Sequence, residues 1–250
     1  MLSEQALSRA LERAGLHAPV RFDEVTGSTQ ATALRMAIDG APEWTLVAAG
    51  HQTAGRGRQG RTWRDQPGHA LLFSLVLRPP LEPDSIGTIS LLAGTALTTA
   101  CRDVAAADAT CKWPNDVLVN GRKAGGILAE ARVAGSSVEF IVVGIGVNLG
   151  SPPSDVPNAA AVDADDEMLL TAFLHGFARG YRPSNDSFGH DVVGSYRDVC
   201  STLGSRIRAR TTDGKVVEGH AVDIDETGAL VVRVGDAVER VRFGEVEHLQ

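Results

Sequence analysis

Residues 52–64 read Gln-Thr-Ala-Gly-Arg-Gly-Arg-Gln-Gly-Arg-Thr-Trp-Arg, a stretch with four arginines, three glycines and no acidic residue. Apolar runs at 44–49 and 70–77 flank the stretch, and both runs predict β-strands. The stretch is therefore predicted to be a mobile cationic loop between two strands. Guanidinium groups and flexible backbone amides suit a phosphate-bearing ligand, and Trp63 offers a flat surface on which a base can stack.

Other interpretations of this arginine loop (residues 52–64) compete with phosphate binding. A basic loop is often only a solvated surface segment. Gly55, Gly57 and Gly60 match the spacing of a dinucleotide-binding fingerprint, but that motif requires a helix directly after it. Pro67 and Gly68 follow too soon for a long helix, so we reject this interpretation. The Walker motif and the partner motifs of protein kinases are absent from the sequence.

The composition argues against several classes of protein. The chain has 250 residues, 43% of them hydrophobic and 22% charged, as is usual for a globular protein. Its net charge of −7 argues against general nucleic-acid binding, which needs a broad basic face. Apolar runs are too short to span a bilayer, the N-terminus lacks a signal-peptide core, and the three cysteines are widely spaced. We therefore expect a cytoplasmic protein with free thiols, no structural zinc, no nucleic-acid partner and no membrane partner.

Helices and strands are predicted to alternate along the first 200 residues. A helix at 3–14 and a strand at 20–25 precede a second helix, which begins after the N-cap Ser28 and ends near residue 38. Its first-turn amides either hold a polar ligand atom or are simply capped. Its buried face is predicted to consist of Ala33, Leu34, Ala37 and Ile38.

The middle of the chain predicts a longer helix at 84–106 and then a hairpin at Asn120-Gly121, a strong two-residue turn signal. Further strands are predicted at 123–132 and 138–147. A proline-rich loop at 151–166 and helices at about 166–180 and 186–201 follow.

The pattern changes after residue 202. Short strands are predicted at 206–211, 216–224, 230–234 and 238–243, with glycine-containing turns between them. Several short strands in under fifty residues predict a small closed barrel. We therefore divide the chain into domains at 1–202 and 203–250.

Two more segments carry polar residues that could meet the arginine loop. Lys112 lies between Cys111 and a Trp-Pro pair, which favours partial burial over a solvated position. Asp116 either closes the turn that follows, which we favour, or holds a metal ion. Asn148 ends a buried strand and either recognises a base edge or bonds to the backbone in a turn.

Together, and in this order, these motifs closely resemble those of biotin protein ligases, also called biotin–[acetyl-CoA-carboxylase] ligases. The segments that carry the resemblance are 27–29, 55–63, 112–116, 123–130 and 144–149. The resemblance covers roughly residues 20–250. It implies an α+β fold, with a mixed, mainly antiparallel sheet and helices on one side, followed by an SH3-like β-barrel. Larger members carry an N-terminal DNA-binding domain, for which we expect no room here, so the monofunctional form is expected.

The resemblance implies a two-step reaction that uses ATP, biotin and Mg²⁺. The biotin carboxylate attacks the α-phosphate of ATP, and a lysine of a carboxylase's biotin carboxyl carrier domain then attacks the resulting biotinyl-5′-adenylate. Because a carboxylate and a polyphosphate repel each other, cations must offset their charge. An ordered loop would also exclude water from the adenylate. Mg²⁺ is expected on the ATP phosphates, with no ligands assigned, and the chain is expected to be a monomer or a weak homodimer.

The resemblance also implies roles for individual residues. Arg58 and Lys112 are expected to be catalytic, and Gln30 stands where the family usually has Asn. The expected biotin contacts are Ser28, Thr29, Gln30, Gln52, Arg56, Gly57, Arg58 and Lys112. The expected ATP and adenylate contacts are Arg56, Arg58, Arg61, Trp63, Lys112 and Asn148.

Two alternatives remain at this point. Lipoate ligases and octanoyl transferases are distantly similar in fold and also modify a carrier lysine, but they lack this arginine-loop sequence. A non-catalytic ligand sensor or a DNA-binding repressor is a different class of protein, and the acidic net charge argues against it.

Overall fold

A seven-stranded sheet dominates the structure, a computed structural model that describes residues 2–242 and 244–249. Its strands are β1 (Val20–Thr26), β2 (Leu46–Gln52), β3 (Ala70–Leu77), β4 (Ala109–Lys112), β5 (Asp116–Val119), β6 (Arg122–Ala134) and β7 (Ser137–Asn148). Their order is β1-β2-β3-β7-β6-β5-β4. Only β1 and β2 pair in parallel, and all other neighbours are antiparallel. The predicted mixed, mainly antiparallel sheet is confirmed.

Five helices accompany this sheet in the described residues. They are α1 (Glu4–Arg13), α2 (Thr29–Ile38), α3 (Ile86–Ala105), α4 (Asp166–Gly180) and α5 (Phe188–Arg197). The main hydrophobic core lies between one face of the sheet and α1, α3, α4 and α5. The short helix α2 packs on the other face, in a second cluster with Val47, Val76, Phe140 and Val142. The predicted fold class is confirmed, with α2 as the one helix on the opposite side.

The buried face of α2 is narrower than predicted. Ala33 and Ala37 are buried, but Ile38 is 59% exposed, so its predicted burial is wrong. Successive helical residues are rotated by about 100°, and Ala37 already faces the sheet. Ile38 therefore points away from it.

Local turn chemistry and long-range pairing set the element ends. Asn120 and Gly121 have φ angles of 50° and 72°, the left-handed conformation that a two-residue hairpin of this type needs. The helix α5 ends earlier than predicted because the following residues pair with β4. Cys111 N donates to Val199 O, and Ser201 N donates to Cys111 O.

A second, five-stranded antiparallel sheet follows. Its strands are β8 (Arg206–Thr211), β9 (Val216–Ile224), β10 (Leu230–Val234), β11 (Ala237–Val241) and β12 (Gly244–His248). They are ordered β11-β10-β9-β8-β12, and no ladder joins β11 to β12 among the described residues. Three predicted strands match, whereas β12 was not predicted and Phe243, the predicted end of the fourth strand, lies outside the described residues. The closed barrel, its SH3-like character and the boundary near residue 202 stay predictions.

The two sheets share one core. Ile207, Leu230 and Val246 from the C-terminal sheet belong to the same buried cluster as the helices of the first sheet. Within residues 2–242 and 244–249, no helix combines the length and the apolar character that crossing a membrane requires.

Candidate functional site

A cavity opens on the α2 face of the large sheet, where glycines follow bulky side chains along the strands. Along β7, Phe140 and Val142 pack against α2, and Gly144 and Gly146 occupy the next two positions on that face. Gly126 on β6 pairs with Gly146. Because glycines leave space for close approach, a first cavity of about 210 Å³ lies above these strands.

The structure brings ten of the eleven predicted site residues to this first cavity. Those that line it are Ser28, Thr29, Gln30, Gln52, Arg56, Gly57, Arg58, Arg61, Trp63 and Lys112. Asn148 instead lines a second cavity of about 430 Å³, beside the proline-rich loop. Thr62, Trp63 and Lys123 line both cavities, which therefore adjoin. The contacts of these residues with ligands stay predictions.

The side chain of Gln52, and not that of the N-cap residue Ser28, accepts hydrogen bonds at the start of α2. Gln52 Oε1 accepts hydrogen bonds from Thr29 N at 2.8 Å and from Thr29 Oγ1 at 3.2 Å. Ser28 occupies the N-cap position, but its hydroxyl is buried and has no partner among the described residues. Ser28 is therefore the N-cap residue, as predicted, but its side chain makes no capping hydrogen bond. Its hydroxyl and the Gln52 amide nitrogen are left to serve a ligand.

Gln30 lines the first cavity and is fixed there by a buried network. Gln30 Nε2 donates to Val142 O at 3.1 Å, and Ser74 Oγ lies 3.3 Å from Gln30 Oε1 and 3.0 Å from Thr29 Oγ1. Ser74 has one proton and can satisfy only one of these acceptors. Donation to the nearer Thr29 leaves Gln30 Oε1 as an acceptor. Sequence reasoning missed Ser74, although it is the one polar residue in the apolar run of β3.

The arginine loop is folded back on itself and anchored at its end. Trp63 N donates to Gly55 O, and Gly57 N donates to Arg61 O. Directly after the loop, the Asp65 side chain is completely buried. Asp65 Oδ2 lies 2.8 Å from His51 Nδ1, and Asp65 Oδ1 accepts from Gln52 N at 3.3 Å. The loop end is thus attached to the end of β2.

Most cations around the two cavities are neutralised by carboxylates from distant segments. Arg56 pairs with Glu130 at 2.8 Å, and Lys123 pairs with Asp116 at 2.5 Å. Further pairs are Arg61 with Glu245 and Arg64 with Asp155. The sequence did not reveal these partners, because each lies at least fifty residues away or on the far side of a turn.

Arg58 and Lys112 are different, because neither has a carboxylate partner among the described residues. Arg58 Nη1 donates to two neutral oxygens, Asn115 Oδ1 at 3.1 Å and Gly244 O at 3.3 Å, and burial lowers the pKa of Arg58. The Lys112 side chain makes no hydrogen bond or ion pair in the described part of the chain. Neither cation forms an ion pair within the described residues, although the charges of Asp116 and Glu245 act on Arg58, and both cations can offset the charge of an anionic ligand.

The turn at residues 112–116 positions the Arg58 side chain. Its Trp113–Pro114 peptide is cis, and Trp113 is buried, with Nε1 donating to Gly228 O at 3.0 Å. Asn115 Nδ2 donates to Ile127 O, which leaves Asn115 Oδ1 to accept from Arg58. Asp116 pairs with Lys112 across the turn through its backbone, while its carboxylate reaches Lys123 on β6. Groups of three metal-ligating side chains are absent from the described residues, which leaves Asp116 without partners for a resident metal site.

Asn148 bonds to the backbone, one of the two roles considered for it, and recognition of a base edge stays a prediction. Its Nδ2 donates to Ala160 O at 2.9 Å, and its Oδ1 is buried without a partner among the described residues. The side chain is therefore held by the backbone while an acceptor remains beside the second cavity. Trp63 lies against Gly126 and Gly146, so its indole separates the two cavities.

Buried thiols surround the lysine-bearing strand. Burial raises the pKa of Cys101 and of Cys111 to about 12. Both groups therefore stay protonated near neutral pH and lack nucleophilic character.

Comparisons with known proteins agree with this geometry. Residues 22–148 match the biotin/lipoate A/B protein ligase family, and residues 202–249 match the biotin protein ligase C terminal domain. The chain is 31% identical to Bifunctional ligase/repressor BirA of Bacillus subtilis, over 98% of this chain and 79% of that protein. It is 35% identical to a biotin--[acetyl-CoA-carboxylase] ligase of Mycobacterium tuberculosis, over 90% of this chain and 87% of that protein.

A solved structure with a similar fold is a ligase of Aquifex aeolicus in complex with biotin and ATP. Its TM-score is 0.73 at 24% identity, and the match covers 92% of this chain and 97% of that chain. At this identity the likeness supports the fold alone.

Proposed function

The chain belongs to the biotin protein ligase family, and from this premise we propose that it activates biotin with ATP and transfers it to a carrier lysine. The acceptor in this proposal is the biotin carboxyl carrier domain of a biotin-dependent carboxylase. The main support for this proposal is the position of Arg58 and Lys112. Both are cations without carboxylate partners in the described residues, and they lie in the first cavity, which adjoins a second cavity beside Asn148.

The polar groups of the first cavity favour biotin over lipoate. The ureido ring of biotin carries one carbonyl acceptor and two N–H donors. The Gln52 amide nitrogen offers a donor, and Ser28 Oγ and Gln30 Oε1 offer acceptors. The dithiolane ring of lipoate has no N–H or C=O group and would leave these groups unpaired, which costs affinity.

The proposed first step joins biotin in the first cavity to ATP, whose nucleoside occupies the second cavity. A biotin carboxylate oxygen attacks the α-phosphorus of ATP, the bond to the β-phosphate oxygen breaks, and pyrophosphate leaves with the electron pair. Arg58 and Lys112 offset the charge that develops between carboxylate and phosphate. In the second step, the carrier lysine attacks the acyl carbon, AMP leaves, and the new amide nitrogen loses a proton. Asn148 Oδ1 is proposed to accept from the adenine amino group.

Mg²⁺ is proposed to arrive bound to the ATP phosphates. Asp116 is a carboxylate that lines the first cavity, but it is paired with Lys123 and belongs to no group of three metal-ligating side chains in the described residues. Phosphate-bound Mg²⁺ would screen the negative charge of the nucleotide.

Biotin-dependent exchange between ATP and labelled pyrophosphate tests the first step. We expect exchange by the unaltered protein, and a loss of about 10²- to 10³-fold for Lys112→Ala and for Arg58→Ala, because each removes an unneutralised cation. Lys215→Ala is the control, because Lys215 pairs with Glu239 in the C-terminal sheet, away from both cavities. Wild-type exchange rates in both site variants would refute the assignment, and exchange with lipoate but not biotin would favour the alternative ligase.

The second step needs a separate measurement. Labelled biotin is incubated with the protein, ATP, Mg²⁺ and an apo carrier domain, and the label is expected on the carrier lysine. A protein that binds biotin, leaves the carrier unlabelled and binds a specific DNA duplex in a salt-sensitive manner would instead be a sensor or repressor. Cytoplasmic location and a monomeric or weakly dimeric state remain part of the proposal, to be checked by fractionation and sedimentation.

A further inference from the structure

Lys123 lies where the two cavities meet, and it is outside the set of residues predicted from the sequence. Its side chain lines both cavities. Its Nζ lies 6.0 Å from the centre of the Trp63 ring, the same ring that separates the cavities. A cation at this junction is close to any group that passes from one cavity to the other.

A register shift in the sheet directs Lys123 towards the cavities. Opposite β5, Gly125 pairs with Val117, but Lys123 and not Ala124 pairs with Leu118. Ala124 and Gly125 consequently both face the α3 side: Ala124 is buried in the main core, and a Cβ on Gly125 would lie 3.3 Å from Leu97. Lys123 is thereby moved to the opposite face, beside Gly126. Bulges of this kind re-aim side chains next to functional sites.

The backbone of Lys123 is fixed, while its ammonium group remains partly exposed. Lys123 N donates to Asn158 O, and Ala160 N donates to Lys123 O, which ties the proline-rich loop to β6. The side chain is 43% exposed and pairs only with Asp116 among the described residues. An ion pair this exposed is weak, so a multiply charged anion can compete with Asp116 for the ammonium group.

We propose that Lys123 binds a phosphate group of the nucleotide at the junction of the two cavities, together with Arg58 and Lys112. The inference rests on the proposed function. If the biotin ring occupies the first cavity and the nucleoside occupies the second, the phosphate group that links them must lie beside Trp63 and Lys123. Asp116 keeps the ammonium group at this position until the nucleotide binds. The residue therefore contributes to ATP affinity and not to recognition of the biotin ring.

The test compares nucleotide affinity with biotin affinity in three variants. Lys123→Gln is expected to raise the KM for ATP in the exchange reaction, and the Kd of ATP in calorimetry, by about 10- to 100-fold through loss of a charge-assisted contact. The Kd of biotin alone should stay within about twofold of the wild-type value, since the two contacts are independent. Lys123→Arg should restore most of the ATP affinity. Arg132→Gln is the control, because Arg132 is on the same strand and pairs with Glu139 outside both cavities.

The outcomes separate this inference from the proposed function. An unchanged ATP affinity in Lys123→Gln, with exchange by the wild type intact, overturns the role of Lys123 alone. Equal losses of ATP and biotin affinity, without rescue by arginine, show a merely structural role and also overturn it. A wild-type protein that binds ATP without any biotin-dependent exchange overturns the proposed function, while the calorimetric comparison still decides whether Lys123 binds the nucleotide.

Discussion

Three positions in the floor of the first cavity require glycine because other side chains pack directly on them. A Cβ on Gly146 would lie 2.6 Å from the Trp63 ring, and a Cβ on Gly126 would lie 3.3 Å from it. The indole is rigid and partly buried, so it cannot easily give way at the first position. Gly144 is likewise required, because a Cβ there would collide with Gln30 Oε1.

We predict that Gly146→Ala displaces Trp63 and destabilises the fold by about 1–3 kcal/mol, the usual result of overpacking. The KM for ATP should rise as well, because Trp63 lines both cavities. Denaturant unfolding and exchange kinetics measure the two effects. Gly126→Ala is the matched control with a smaller expected effect, and a larger effect there than at Gly146 would contradict the prediction.

The individual site residues differ in whether the sequence alone predicted them. Ten of the predicted residues line one cavity. They could be identified from the sequence because each belongs to a local motif whose residue types suit an anionic or polar ligand. Ser74, Glu130 and Lys123 were not predicted as site residues. Their positions depend on strand register and on partners from other parts of the chain, which one sequence does not display.

At the scale of elements, the arginine loop depends on its anchor. Asp65 binds both His51 and the Gln52 backbone amide, so its carboxylate fixes the loop end to β2. The Arg64–Asp155 pair also attaches the loop, but those side chains are 61% and 59% exposed. Exposed pairs contribute little to stability, whereas a lost partner leaves buried groups unsatisfied.

Asp65→Ala is therefore predicted to lower the free energy of unfolding by about 1–3 kcal/mol, because it leaves the partly buried backbone amide of Gln52 without its acceptor. Trypsin should also cleave the loop faster in this variant. Asp155→Ala serves as the control, with an expected change within about 0.5 kcal/mol. Equal effects of the two substitutions on stability and cleavage would show that Asp65 is no anchor.

Element boundaries were predictable where turn residues mark them. The strands β3, β8, β9 and β10 match their predicted ranges, and Asn120-Gly121 forms the predicted turn. The helix α5 and the exposed Ile38 differ, because tertiary pairing and the narrow contact of α2 override local patterns. The strand β12 was missed because its pairing with β8 is nonlocal.

At the scale of the whole molecule, the two sheets are physically joined. One hydrophobic cluster contains residues from both, Trp113 Nε1 donates to Gly228 O, and Arg58 Nη1 donates to Gly244 O. The C-terminal sheet therefore helps to hold the side chain of Arg58, a catalytic candidate, in place.

We predict a single cooperative unfolding transition for the full chain, because one hydrophobic cluster contains residues of both sheets. Calorimetry should give one peak, with equal calorimetric and van't Hoff enthalpies. Truncation after Thr202 should abolish adenylate formation as well as carrier transfer. Two resolved transitions, or a truncated protein with normal exchange, would contradict this view.

By itself, the sequence determined the order of helices and strands, the arginine loop, the change of pattern after residue 202 and the family resemblance. These follow from local periodicity, turn chemistry and motif spacing, which are properties of neighbouring residues. Only the tertiary structure decided which cations lack an ion-pair partner among the described residues, that the Gln52 side chain accepts the hydrogen bonds at the start of α2, and that Lys123 reaches the junction of the two cavities. Those features depend on strand register and on burial, because the acids and backbone groups that decide them come from distant parts of the chain.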